Sequence, residues 1–255
     1  MRHKQYLLCI LSTMSNDILH KLESLQKLWR HDSIPREHEH EVHPQLDPSS
    51  RENYLYFIMT CALNFQRNSP NTWKSALATW DDPETNLVFL PEKVVTADIE
   101  YIRNALLKHK LALQPNKHTD IWVRISTTWH THFDDDPRKL IAQGNNNVHD
   151  ILHIVCTDMK KDFPYLSGPK LSNYFLFILV HYSDIKLTNV HEISIIPDTH
   201  IMQATEQLGI LPADRLNPKD VEDAWRGLLH NTPYSPVEFH SILWNWSRNG
   251  FIPTV

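Results

Sequence analysis

The sequence predicts an all-α protein made of many short helices joined by proline-bearing turns. Apolar residues recur at helical spacing in one window after another. Glycine is scarce, 5 among 255 residues, while proline numbers 16, and several prolines stand where a helix would begin. Scarce glycine argues against sandwiches, barrels and glycine-rich phosphate loops. At 41% hydrophobic content the chain can bury one large core or two intimate lobes. We expect a single two-lobed helical domain over residues 1–255.

Taken in order, Ile18, Leu19, Leu22, Leu25, Leu28 and Trp29 fall on one helical face. This predicts a helix over Ser15–Trp29, with Ser15 or Asn16 as its N-cap. Residues 31–50 turn polar, with Pro35, Pro44 and Pro48, and read as a loop. Arg51–Phe65 is a strong helix ending in the polar tip Asn64-Phe65-Gln66-Arg67-Asn68-Ser69-Pro70. Trp73–Trp80 reads as a short helix, Phe89-Leu90-Pro91 as extended chain, and Thr96–Leu111 as an amphipathic helix. Thr119–His132 is apolar and β-branched enough to leave helix and strand open, with helix favoured by context. Asp134-Asp135-Asp136-Pro137 caps a short helix, and Asn145–Asn147 turns into a helix from Val148 to about Met159. Asn217-Pro218 and Pro236 open the last two helices, through Leu229 and Trp246.

Composition bounds the chemistry. The net charge is -5 and the pI about 6.4, so any nucleic-acid binding must come from a local surface. Cys9, Cys61 and Cys156 are far apart, with no CxxC, which supports neither an iron–sulfur cluster nor a cysteine-rich zinc site. Sparse, odd cysteines suit a reducing compartment. No apolar run reaches the ~18 residues a membrane span needs. We expect a soluble, intracellular protein, monomeric, without cofactor or membrane partner. The groups His38, His40, His43 and His130, His132, Asp134 contain no two histidines at helical i, i+4 spacing, so no metal site is expected.

The stretch 162–210 concentrates the functional signal. Leu166-Ser167-Gly168-Pro169 forms a tight turn that leads into an apolar helix, with Lys170 in its first turn. A helix N-terminus disfavours a cation, and apolar flanks (Leu171, Tyr174, Phe175) favour a neutral amine. A neutral lysine amine is a nucleophile able to form Schiff bases. Further on, Ile193–Pro197 is an extended apolar run ending in Asp198, placed as an N-cap. A fixed carboxylate can stabilise an oxocarbenium cation at a sugar C1′. The pair suits N-glycosidic bond cleavage if Lys170 and Asp198 meet across one cleft. Singly, each has a plainer reading, a solvated lysine and a structural cap.

These segments resemble the helix-hairpin-helix DNA glycosylase superfamily of endonuclease III and 8-oxoguanine glycosylase. Leu166-Ser167-Gly168-Pro169-Lys170 resembles its hairpin, and Ile195-Ile196-Pro197-Asp198-Thr199-His200 its aspartate segment. The resemblance implies Lys170 as Schiff-base nucleophile and Asp198 as catalytic carboxylate. It implies Gly168 in the DNA-facing hairpin, His200 near the phosphate or sugar, and Tyr174 in a base pocket one turn after the lysine. More loosely, Ala62-Leu63-Asn64-Phe65-Gln66 resembles the segment whose glutamine fills the gap left by a flipped base, with Arg67 beside it on the DNA. The implied partner is damaged double-stranded DNA. Asp198 lies 28 positions after Lys170, a spacing similar to that of the archaeal 8-oxoguanine group.

Three departures stand out. The hairpin has one glycine, Pro169 has no N–H to offer phosphate, and the spacing exceeds that of the common 8-oxoguanine enzymes. The focal segment is not basic, so phosphate binding would have to recruit Arg67, Lys74, Arg51 or Arg248. Tyr174 and the aromatics Trp225, Phe239, Trp244, Trp246 and Phe251 also read as core, and Gln66 as an ordinary surface residue. The sequence therefore leads to a bifunctional glycosylase and AP lyase, 8-oxoguanine being the first expected base. A nucleoside or nucleotide N-glycosidase on the same fold, similar to the queuosine-salvage family, stays open. So does a non-catalytic member binding nucleic acid or protein.

Overall fold

A computed structural model describes residues 2–36 and 41–255, with side chains from Asn16 onward. Two of the three residues of the first histidine group, His38 and His40, lie outside the described residues, as does part of the expected 31–50 loop. The described residues form twelve α-helices and no β-strand. A single isolated bridge joins Asn147 to Thr188.

The helices are α1 (Arg2–Arg30), α2 (Arg51–Ala62), α3 (Ser69–Asp81), α4 (Pro91–Val94), α5 (Ile99–Lys108), α6 (Pro115–Phe133), α7 (Pro137–Gln143), α8 (Val148–His153), α9 (Pro169–Tyr182), α10 (Thr199–Gln207), α11 (Pro218–Leu229) and α12 (Pro236–Arg248). Their starts follow from local chemistry. Proline opens or nearly opens α3, α4, α6, α7, α9, α11 and α12, where its missing N–H leaves no helical bond unmade. The side chains of Ser50, Asn68, Asp98, Asp136, Asn147, Asp198 and Asn217 accept first-turn amides.

Two expectations are corrected. Neither Ser15 nor Asn16 is a cap, because α1 runs unbroken from Arg2 through both. The preceding stretch contains no glycine or proline to stop it, and polar side chains do not by themselves end a helix. Phe89-Leu90-Pro91 is not an extended segment. A 3-10 turn (Asn86–Phe89) runs up to Leu90, which alone is extended as it enters α4.

The chain divides into two compact units, Met1–His38 with His191–Val255, and Glu39–Val190. The first unit packs α1, α10, α11 and α12 around Leu22, Leu25, Ile201, Trp225, Phe239 and Trp246, all buried. Trp225 Nε1 donates to Thr205 Oγ1 at 2.9 Å, satisfying a polar group inside this core. The second unit holds α2–α9 around an aromatic cluster in which Tyr56 meets Phe57, Trp73, Trp80 and Phe89 at centroid distances of 5.3–6.0 Å. Asn53 at the start of α2 donates to Tyr182 O at the end of α9 (2.9 Å), fixing these packed helices end to end.

Candidate active site

The second unit contains a helix-hairpin-helix. Its first arm is α8, continued by a π-helical turn (Ile154–Asp158); its second arm is α9. Between them the amides of Leu166, Ser167 and Gly168 donate to Pro164 O, Phe163 O and Tyr165 O at 2.8–2.9 Å, and Ser167 Oγ donates to Lys160 O at 3.0 Å. Gly168 caps α9 in extended conformation. A Cβ there would stand 3.1 Å from Tyr165 O, so the turn favours glycine for closeness of approach. Pro169 has no amide, and these three amides are spent within the turn, so α9 offers an anion the Lys170 and Leu171 amides at its N-terminus.

Lys170 stands exposed in the first turn of α9. Leu171, Tyr174 and Phe175 are buried and face inward, so the expected apolar enclosure of the amine is absent. No carboxylate pairs with it among the described residues. Tyr174, one turn on, is held at a polar node. Its hydroxyl donates to Glu41 Oε1 at 3.0 Å, accepts from Trp73 Nε1 at 3.0 Å and meets Ser69 Oγ at 3.2 Å. Burial, reinforced by Glu41, pushes this phenol well above its ordinary value, which keeps it a neutral donor.

Asp198 lies in the first unit and caps α10. Its Oδ1 accepts from the amides of His200 and Ile201, both at 3.0 Å. Its Oδ2 accepts from Trp244 Nε1, also at 3.0 Å. Trp244 in turn lies 4.6 Å edge-on from the His200 ring, and the Arg248 guanidinium sits 5.3 Å over its own ring. His200 Nδ1 is 3.2 Å from Ser247 Oγ. The aromatic spacing that predicts core holds for Trp225, Phe239 and Trp246. It fails for Trp244, which is only half-buried and holds the carboxylate.

The wedge segment is an exposed tip. Gln66 adopts φ 53°, left-handed for a non-glycine residue, and is exposed, as is Phe65 beside it. Gln66 lines a groove of about 510 Å³ with Arg67, Asn68, Asn71, Lys74, Ser75, Lys110 and Leu113. Leu113 is 56% exposed, an apolar side chain among polar neighbours that no periodicity singles out. Phe65 lies tilted against Tyr165 of the hairpin at 4.6 Å, and Lys117 sits 5.2 Å over the Tyr165 ring, so the tip beside the groove touches the hairpin.

This alters the expected charge distribution. Residues 64–75 and 108–118 contain Arg67, Lys74, Lys108, Lys110 and Lys117 and no carboxylate. Lys108 is paired with Asp82 and Glu84, whereas Lys74, Lys110 and Lys117 have no acidic partner among the described residues. Of the four cations expected to reach phosphate, Arg51 is paired with Glu52 and Glu92. Arg248 is stacked on Trp244, and Arg67 is engaged by backbone carbonyls. Lys74 alone retains the expected freedom, Lys110 joins it, and Lys117 lies over the Tyr165 ring without an acidic partner among the described residues.

No family model matches the sequence, and no curated protein matches it. Among solved structures, a trapped endonuclease III–DNA covalent intermediate, an estranged-adenine complex, is similar over 92% of this chain and 86% of its own, with TM-score 0.57 and 14% identity. The chain therefore shares the all-α fold of that endonuclease III structure.

Proposed function

We propose that this protein is a base-excision DNA glycosylase with AP-lyase activity. Lys170 carries the reading: an exposed primary amine opening the helix after the hairpin, in a fold whose solved neighbour is a covalent intermediate with DNA. The neutral amine attacks C1′, the C1′–N bond breaks, and the base leaves with the bonding pair and a proton. The attached nitrogen then loses its proton and its lone pair forms the C1′=N Schiff base as the C1′–O4′ bond breaks, O4′ taking up a proton to become a hydroxyl; loss of a C2′ proton next breaks the C3′–O bond, and the 3′ phosphate leaves with the bonding pair. Asp198 stabilises the cationic character at C1′. The cationic groove with exposed Phe65 and Leu113 supports a nucleic-acid strand as ligand. Gln66 and Leu113 are its wedge candidates, since a flipped base leaves a gap to fill. 8-Oxoguanine is the first base to test.

A second reading, an N-glycosidase of free nucleosides, is favoured by one observation: the hairpin amides are engaged internally, leaving little for duplex phosphate. Borohydride trapping on a panel of lesion duplexes decides. Hydride reduces the C=N bond and fixes the cross-link. A cross-link lost in Lys170→Ala supports the proposal. An undiminished cross-link in that variant, or none in the wild type across the panel, overturns it, and nucleoside hydrolysis without duplex binding supports the alternative.

A further inference from the structure

The geometry points to Arg67 as a positioning residue that, with His118, locks two loop tips together so that Gln66 and Leu113 are presented side by side on the groove. This goes beyond the glycosylase reading but draws its purpose from it. Arg67 Nη1 donates to Leu111 O at 2.5 Å and Leu63 O at 3.4 Å, and Nη2 donates to Lys110 O at 3.0 Å. One guanidinium thus closes the end of α2 onto a loop more than forty residues away in sequence. From the other side, His118 Nδ1 accepts the Leu113 amide at 3.1 Å.

The chemistry of both partners fits this role. The His118 ring is buried. Burial, aided by the nearby charges of Arg67 and Lys117, lowers it to about 4, so it is the neutral ring an acceptor must be. Arg67 is half-buried, and burial lowers it from its ordinary value. The tips it joins carry left-handed residues, Gln66 at φ 53° and Lys110 at φ 60°, conformations that persist only where surrounding bonds over-determine them. Three carbonyls engage the fork that would otherwise grip a phosphate, so Arg67 acts through Gln66 and Leu113 rather than on the strand. Lysine cannot substitute, because its ammonium is a point donor without the planar fork.

The test compares Arg67→Lys and Arg67→Met with wild type, first without DNA. Backbone hydrogen exchange, read by mass spectrometry over 63–67 and 110–114, is expected to rise about tenfold or more in both variants, with global melting nearly unchanged. Unchanged exchange in Arg67→Lys overturns the inference whatever the protein's activity. If Arg67→Met fails to fold, Arg67→Lys and His118→Leu serve, the latter expected to raise exchange at 110–114 alone. On a duplex the wild type cross-links, both Arg67 variants should keep its salt dependence of binding and lose base extrusion, read by 2-aminopurine fluorescence, as Gln66→Ala also should. A salt slope lower by about one in Arg67→Met, with extrusion intact in Arg67→Lys, would mark a phosphate contact and refute positioning. Absence of any duplex cross-link in wild type fails the glycosylase proposal alone, since the exchange measurement stands independently.

Discussion

Replacing Asp198 by asparagine separates its capping from its chemistry. The carboxylate serves three donors: the His200 and Ile201 amides on Oδ1 and Trp244 Nε1 on Oδ2. In Asp198→Asn the amide oxygen keeps the cap, and the new NH2 faces the Trp244 N–H donor to donor. The loss is that one bond, about 1 kcal/mol, because Trp244 is half-buried and water can replace part of it. Asp198→Ala also loses the cap, typically about 1 kcal/mol, so its cost is about 2 kcal/mol. For a chain of this size each kcal/mol lowers Tm by about 2–4 °C. Asparagine should therefore melt about 2–4 °C lower and alanine about 4–8 °C lower.

If Asp198 stabilises charge at C1′, removing its charge should slow single-turnover base release by about a hundred- to a thousandfold. Assayed well below the melting transition, a shift of this size cannot come from unfolding. The decisive comparison is differential scanning fluorimetry beside single-turnover cleavage of whichever duplex gives the cross-link. Asp198→Asn with the small Tm shift and cleavage within about threefold of wild type would refute catalysis and leave Asp198 a structural cap. Trp244→Phe adds a check: it keeps the carboxylate and removes one of its three donors, so cleavage should fall by about tenfold, the equivalent of one hydrogen bond.

Three other outcomes follow from the geometry. Lys170→Gln, at an exposed position, should leave Tm within about 1–2 °C, as surface changes of about 0.5 kcal/mol do, while abolishing the borohydride cross-link on an SDS gel. Because His118 is lowered in the fold from 6.5 to about 4, its contribution is complete above pH 6.5 and is lost as pH falls toward 4, by about 2–3 kcal/mol. His118→Asn, whose amide oxygen can still accept the Leu113 N–H, should lose less stability between pH 7 and pH 4.5 in thermal melts. Gly144→Ala should destabilise by about 1–3 kcal/mol, because its Cβ would stand 2.5 Å from Ile151 Cγ1 and 3.0 Å from Ile151 N. An unchanged Tm would mean that α8 can shift.

The fold was legible because punctuation repeats: proline near N1 and an Asp, Asn or Ser cap mark most helix starts regardless of what packs on them. The hairpin and the Asp198 cap were legible for the same reason, being local. What failed depends on distant partners. Arg67 reads as a cation awaiting phosphate, yet its acceptors include carbonyls at 110 and 111. Trp244 and Trp246 look alike in sequence, but two residues on a helix turn through roughly 200°. Trp246 therefore enters the core while Trp244 meets Asp198. Leu113 follows Leu111 and Ala112, which are buried, and nothing in the sequence marks it as the exposed one of the three that lines the groove with Gln66.

Charge shows why a net value is a poor guide to ligand class. The chain carries -5 overall, but much of the acidity is engaged locally. Burial pushes Asp136 up, but its hydrogen bonds and charge pairing with Arg138 together hold it below its ordinary value, and Asp82 is held low by Lys108 and His109. Arg51 bridges Glu52 and Glu92. Pairs of this kind cancel beyond about one Debye length, roughly 8–10 Å at physiological salt. The unpaired lysines at 74, 110 and 117 do not cancel, and they stand on or beside the groove that carries Gln66 and Leu113. An approaching polyanion responds to that local field more than to the sum. Duplex binding through this groove should therefore weaken with added salt, and Lys110→Ala should reduce the slope by about one without altering base preference, as a phosphate contact does. A slope insensitive to Lys74, Lys110 and Lys117 alike would remove the groove from the DNA path and shift weight to the free-nucleoside reading.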